Sequence, residues 1–241
     1  MSGHSKWATI KRAKAVTDAK RGAIFTRLGN AITIAAREKG GDLEANPSLR
    51  MAVDKAKSIN MPKDNIERAI KRGTGELAGD IVEELYYEGV LPNNVQIVIK
   101  CLTDNKNRSA ATVRHALSKF GGSLGSVMWN FEQKGLILLS IDKVKEKNIN
   151  IEELELEMIE VDIEDFKIDD ESLTIVTKVE NLQKTKKILE DKELEIESAE
   201  IEYVAKDKNE LSEEELNKLK NFLDILDENE DVNSFYLNVD F

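Results

Sequence analysis

Six cations, Lys6, Lys11, Arg12, Lys14, Lys20 and Arg21, fall within sixteen residues that hold one acid, Asp18, and they surround Trp7. Lysine and arginine displace the counterions condensed on phosphates, and an indole offers a face on which a base can stack. The set is therefore suited to gripping nucleic acid. The competing reading is a solvated basic arm with Trp7 folded against a core, and spacing alone does not choose between them.

Further cations lie downstream. Arg37 falls on the polar side of an amphipathic stretch, beside Thr26, Asn30 and Thr33. Arg50 and Lys57 share a helix side at i, i+7, with Asp54 placed to pair with either. Arg68, Lys71 and Arg72 sit at i, i+3, i+4 near a helix C-terminus, where they either meet phosphate or complement the helix dipole. Lys106 and Arg108, in Asp104-Asn105-Lys106-Asn107-Arg108, stand at a helix start, which attracts anions but is equally served by ordinary capping.

Bond-making chemistry has fewer candidates. The two histidines, His4 and His115, stand far apart, and no His/Cys/carboxylate cluster has metal-ligand spacing. No G-x-S-x-G elbow presents a serine, and no phosphate-cradling glycine loop occurs. The one cysteine, Cys101, lies in the apolar run from Val95 and reads as a buried thiol that can form neither an internal disulfide nor half of a metal knuckle. No catalytic residue, metal or cofactor is expected, and the chain does not read as an enzyme.

Charge is partitioned along the 241 residues. The net charge is −11, yet residues 1–75 hold 16 Lys/Arg against 7 Asp/Glu, a net +9, while residues 136–241 hold 13 against 32, a net −19. This asymmetry predicts a basic module that meets polyanions and an acidic body that does not, the latter open to a protein partner. No apolar run approaches the roughly 18 residues of a spanning helix, and MSGHSKWATIKR lacks an apolar signal region, so a cytoplasmic protein with no membrane partner is expected.

The elements that must position these residues follow from periodicity. Ile24, Phe25, Leu28, Ala31, Ile32 and Ala35 form a helical stripe stopped by Gly40-Gly41. Asn46-Pro47 opens a second helix that buries Leu49, Ala52, Val53 and Ala56. A third runs from Pro62 to Gly73 and buries Ile66, Ala69 and Ile70. Ile81–Val90 and Val95–Thr103 flank Pro92-Asn93-Asn94 as a hairpin, and a helix capped by Asn107 or Ser109 ends at Gly121-Gly122. Strands are predicted at Val127–Phe131 and Leu136–Ile141. A helix at Ile151–Leu156, strands near Met158–Ile163 and Ser172–Thr177, a helix at Leu182–Leu189 and a strand at Leu194–Val204 complete a β-α-β-β-α-β unit. The box Ser212-Glu213-Glu214-Glu215 opens a last helix, and Ser234–Val239 closes the chain as a strand. The predicted fold is α+β: a small helical bundle at 1–77, an α/β domain split between 78–133 and 207–241, and an acidic ferredoxin-like domain at 134–206 inserted into it.

Several stretches resemble the YebC/PmpR family closely. They are Gly3-His4-Ser5-Lys6-Trp7, Asp18-Ala19-Lys20-Arg21-Gly22, Asn46-Pro47 with Leu49-Arg50, the run from Asn60-Met61-Pro62 through Arg72-Gly73, Tyr87-Glu88-Gly89, Leu102-Thr103-Asp104-Asn105 with Asn107-Arg108, and Gly121-Gly122. Two departures stand out: Ser126-Val127 follow Gly125 without the short glycine-ended stretch the family usually has, and Ser48 replaces a common arginine. The resemblance implies a three-domain cytoplasmic protein without a cofactor that binds promoter DNA as a transcriptional regulator. Relatives such as the mitochondrial translational activator of cytochrome c oxidase act instead in translation, with the ribosome and its RNA as partner. Both roles use a polyanion, so the basic arm does not decide between them.

Overall fold

The computed structural model of the chain describes residues 18–147, 149–169 and 172–240, with side chains from residue 22 onward in the first helix. Helices α1 (Asp18–Lys39), α2 (Pro47–Ser58) and α3 (Lys63–Thr74) come first. They close on Leu28, Ile32, Leu49, Val53, Ile66 and Ala69, the positions the apolar stripes select. Asn46 joins two of them. Its side-chain oxygen accepts the Leu49 N–H at 3.0 Å, while its amide donates to the carbonyls of Ala35 and Gly40 at 2.8 Å each. One fully buried side chain thus satisfies groups left open at the end of α1 and the start of α2.

The approach of α1 to α3 depends on Gly73. A Cβ at that position would lie 2.4 Å from the Thr33 carbonyl oxygen and 2.7 Å from the Ala36 Cβ. Helix propensity alone favours alanine over glycine by about 1 kcal/mol. Contact with main chain reverses that sign, so Gly73→Ala should lower stability by about 1–3 kcal/mol. A urea titration would register this as an earlier midpoint, and a later midpoint would mean that the two helices have room to spare.

β1 (Glu83–Leu91) and β2 (Val95–Thr103) pair antiparallel through a turn in which Asn93 and Asn94 both have positive φ, 61° and 56°, as a type I′ hairpin requires. α4 (Lys106–Lys119) and the short β3 (Ser123–Leu124) follow. β4 (Phe131–Ser140), α5 (Ile141–Glu146), α6 (Ile151–Glu160), β5 (Ile163–Ile168), β6 (Ser172–Thr177), α7 (Leu182–Asp191) and β7 (Ile196–Ala205) then build a second sheet. Its order is β5-β6-β4-β7 with antiparallel neighbours, the ferredoxin-like arrangement. Ile137, Leu139, Leu154, Met158, Ile175 and Leu189 fill its core. After α8 (Glu213–Asp227) the chain returns in β8 (Val232–Leu237) to the first sheet, whose order is β3-β1-β2-β8. The chain forms two compact units, one containing residues 18–127 and 211–235, the other 128–210 and 236–240.

The fold class matches the sequence reading, and several boundaries do not. Met128–Asn130 is a 3-10 turn, so the strand predicted from Val127 starts only at Phe131. The residues predicted as a strand from Met158 still belong to α6, because Met158 follows Leu154 by one turn on the same buried face. The chain reverses at Asp162, whose φ is 64°. The predicted strand end at Ile141 opens α5, a helix the sequence reading missed. Neither Asn107 nor Ser109 caps α4. Asn105 does, its side chain accepting the Arg108 N–H at 3.0 Å, while Ser109 is buried and donates to the Lys106 carbonyl at 3.1 Å.

Candidate nucleic-acid interface

The polar face of α1 is covered in its middle, where Thr33 is buried and Asn30 half-buried, while Thr26 and Arg37 at its two ends stay exposed. Thr33 is 4% exposed and donates to the Ala69 carbonyl of α3 at 3.1 Å. Asn30 donates to the Leu102 carbonyl of β2 at 3.0 Å, and Arg37 donates to the Val82 carbonyl at 2.7 Å. These polar side chains satisfy backbone acceptors on both sides of α1, which is why they occupy a continuous stripe. Arg37 thus ties α1 to the chain entering β1 while its residue stays exposed.

Other candidates are similarly engaged. Arg50 donates to the carbonyls of Leu43 and Glu44 at 3.0 and 2.9 Å, closing the loop before α2. Lys57 pairs with Asp54 at 3.7 Å on an exposed surface, an interaction of small energetic consequence. Lys106 pairs with Glu83 at 2.7 Å. Arg108 makes a two-pronged contact with Asp231, Nε to Oδ2 at 2.9 Å and a terminal nitrogen to Oδ1 at 2.7 Å, and reaches Asp104 at 3.0 Å. Sequence distance concealed this partner, 123 residues away.

That contact contributes to stability. Asp231 has a side chain only 8% exposed, whereas Arg108 is 53% exposed. Arg108→Met leaves a nearly buried carboxylate without its donors. After allowance for solvent at the arginine, a loss of about 2 kcal/mol is expected, within the range for hydrogen bonds to charged groups. Thermal unfolding of the variant should show the loss, with nucleic-acid affinity unchanged. Reduced affinity at unchanged stability would return Arg108 to the interface.

What the fold brings together lies on α3. Asn65, Arg68 and Arg72 follow at i, i+3 and i+7 and, with Phe25, Gly29 and Met61, line an open groove of about 330 Å³ between α1 and α3. Arg72 is held by a bond to the Asp80 carbonyl at 2.8 Å. Arg68 is exposed and, among the described residues, has no hydrogen-bond or ion-pair partner. Lys71 stands exposed on the same helix. The spacing of Asn65, Arg68 and Arg72 is helical, but Asn65 carries no charge and Phe25 lies in the apolar stripe of α1, so the sequence marks neither as part of a groove. Lys20 and Arg21 lie in the first turns of α1, which leads into this groove. Lys6, Trp7, Lys11, Arg12 and Lys14 lie outside the described residues.

A larger groove of about 540 Å³ lies between the β1–β2 turn and α8, floored by Leu91, Phe120 and Phe222. At its rim Lys218 bonds Glu214 at 2.7 Å, while Glu215 accepts from the neutral Asn93 amide at 2.6 Å and keeps its negative charge. It suits a polyanion less well than the α1–α3 groove.

Among the described residues, no three His, Cys, Asp or Glu side chains converge as metal ligands would. Cys101 is buried, and desolvation together with the Asp231 charge pushes its thiol up to about 12, so it is not a thiolate at neutral pH. Among the described residues no helix is long and apolar enough to cross a membrane.

Comparison with known proteins places this geometry in context. The family described as TACO1/YebC protein N-terminal domain matches residues 5–76, and the one described as TACO1/YebC second and third domain matches residues 82–239. A Thermotoga maritima protein named "Probable transcriptional regulatory protein" is 47% identical over 241 residues, covering 99% of this chain and 93% of that protein. A Chlorobium luteolum protein of the same name is 45% identical over 244 residues, covering 100% and 96%. The crystal structure of a conserved hypothetical protein from Aquifex aeolicus is similar at a TM-score of 0.83 and 39% identity, over 95% of each chain.

Proposed function

The chain belongs to the TACO1/YebC family, and from that premise we propose that it is a cytoplasmic, non-enzymatic regulator of gene expression that binds nucleic acid through its N-terminal third. The observation that carries this reading is the α1–α3 groove, where Arg68 and Arg72 stand together within a segment of net charge +9. Guanidinium groups flanking an open groove supply the counterion-releasing contacts on which phosphate binding depends. The names of the relatives point to transcription, and promoter DNA is the first partner proposed. The acidic unit, whose α6 exposes Leu156 and Ile159, is left by this proposal to contact protein.

One observation favours the second reading, a ribosome-associated factor acting on RNA. α3 carries Asp64 and Glu67 on its exposed surface, with Glu67 paired to Lys63 at 3.4 Å. A helix entering the DNA major groove would carry those carboxylates toward phosphates and base edges. Crosslinking the protein in cells and sequencing the recovered nucleic acid separates the two. Enriched promoter DNA supports transcriptional control, ribosomal RNA supports the second reading, and recovery of neither contradicts the proposal.

A further inference from the structure

The α1–α3 groove has the size and lining of a site for one heterocycle. We propose that it admits a single unpaired nucleobase, so that the chain grips nucleic acid in single-stranded form; this rests on the nucleic-acid reading above and specifies it. At about 330 Å³ the groove lies at the low end of small-ligand sites, which span roughly 300–1,000 Å³. It has room for one planar ring, not for a folded peptide. Its lining is mixed: Phe25, Met61 and Ala69 are apolar, Gly29 contributes no side chain, and Thr26, Asn30 and Thr33 of α1 add polar groups.

Polar groups stand where a base and its phosphate need them. Asn65 lines the groove, and among the described residues its side-chain amide has no hydrogen-bond partner. An amide offers both a donor and an acceptor, the pair that the Watson–Crick edge of a base requires. Arg68 and Arg72 lie one and two turns further along the same face of α3, within reach of the phosphates flanking an inserted base. Arg72 is preorganised by its bond to Asp80, while Arg68 is uncommitted among the described residues. A duplex keeps its bases stacked inside and cannot fill such a groove unless a base leaves the stack.

The test uses the full chain and four probes of equal length: a single-stranded RNA, the same sequence as single-stranded DNA, the RNA with its central positions abasic, and a duplex. Base–aromatic stacking is worth about tenfold in affinity or more per base. At equal backbone charge the intact strand should therefore bind at least about tenfold more tightly than the abasic one, and more tightly than the duplex. Tighter binding of intact RNA or of intact DNA would name the source of the base. Two variants probe the floor and the edge. A Cβ at Gly29 meets only the Met61 Cε, at 3.8 Å, so Gly29→Leu starts from an open Cβ position in the groove it is meant to fill. Asn65→Ala removes the free amide and guards against misfolding of the first variant. Each should bring the intact strand down toward the abasic one while leaving the salt dependence of binding unchanged. Equal binding of intact and abasic strands overturns the base site but leaves nucleic-acid binding standing. Binding to none of the four probes overturns both.

Discussion

Asn46→Ala is expected to destabilise the chain by about 2–4 kcal/mol, combining a lost helix cap with two lost donations, one to the buried Ala35 carbonyl and one to the partly buried Gly40 carbonyl. The residue is fully buried, and its three bonds reach both ends of the α1–α2 connection. Asn46→Asp isolates the contributions, because a carboxylate keeps the cap acceptor while losing the two donations. It should be destabilised as well, in contrast to an ordinary exposed N-cap, where Asp and Asn are equivalent. Chemical unfolding of both variants checks this. A loss below about 1 kcal/mol in each would mean that the α1 carbonyls find other donors and that Asn46 acts only as a cap.

The second large effect concerns binding. Lys11→Glu, Arg12→Glu and Lys14→Glu together should weaken nucleic-acid affinity roughly a hundredfold or more at physiological salt, since each lost phosphate contact removes about 0.9 from the magnitude of the log K against log salt slope on duplex DNA. This expectation rests on the charge of the segment alone. Arg68→Glu tests the groove separately. It should change the slope by about one unit without affecting stability, because among the described residues Arg68 supports no other group. Unchanged affinity and slope in the triple variant, with circular dichroism confirming the fold, would remove the arm from the interface.

Much of the architecture was legible because burial imposes periodicity. Ile24 to Ala35, Asn46 to Ala56 and Ile66 to Ala69 each print a helical stripe, and the β-α-β-β-α-β order emerged from alternating apolar runs. The errors arose where the deciding partner is backbone or distant in sequence. Thr33 and Asn30 looked solvent-facing because their partners are carbonyls, which no side-chain pattern reveals. The Asp231 partner of Arg108 was illegible because it lies 123 positions away. Met158 looked like strand because an apolar pair at the end of a helix does not distinguish the two periods. Of the candidate site, Arg68, Lys71 and Arg72 were readable as a set from helical spacing. Asn65 carries no charge to draw notice, and Phe25, half in the core and half in the groove, reads in sequence only as core.

The central claim is that the N-terminal third binds nucleic acid through its cations, and a salt titration of the full-length wild-type chain tests it most directly. Affinity for a short single strand and for a duplex would be followed by anisotropy across a series of salt concentrations. Log affinity should fall linearly with log salt, and the slope should shrink in the Lys11/Arg12/Lys14 charge-reversal variant and, by a smaller amount, in Arg68→Glu. A wild-type chain that binds neither probe at low salt, or one whose affinity is indifferent to salt and to these substitutions, would contradict the account.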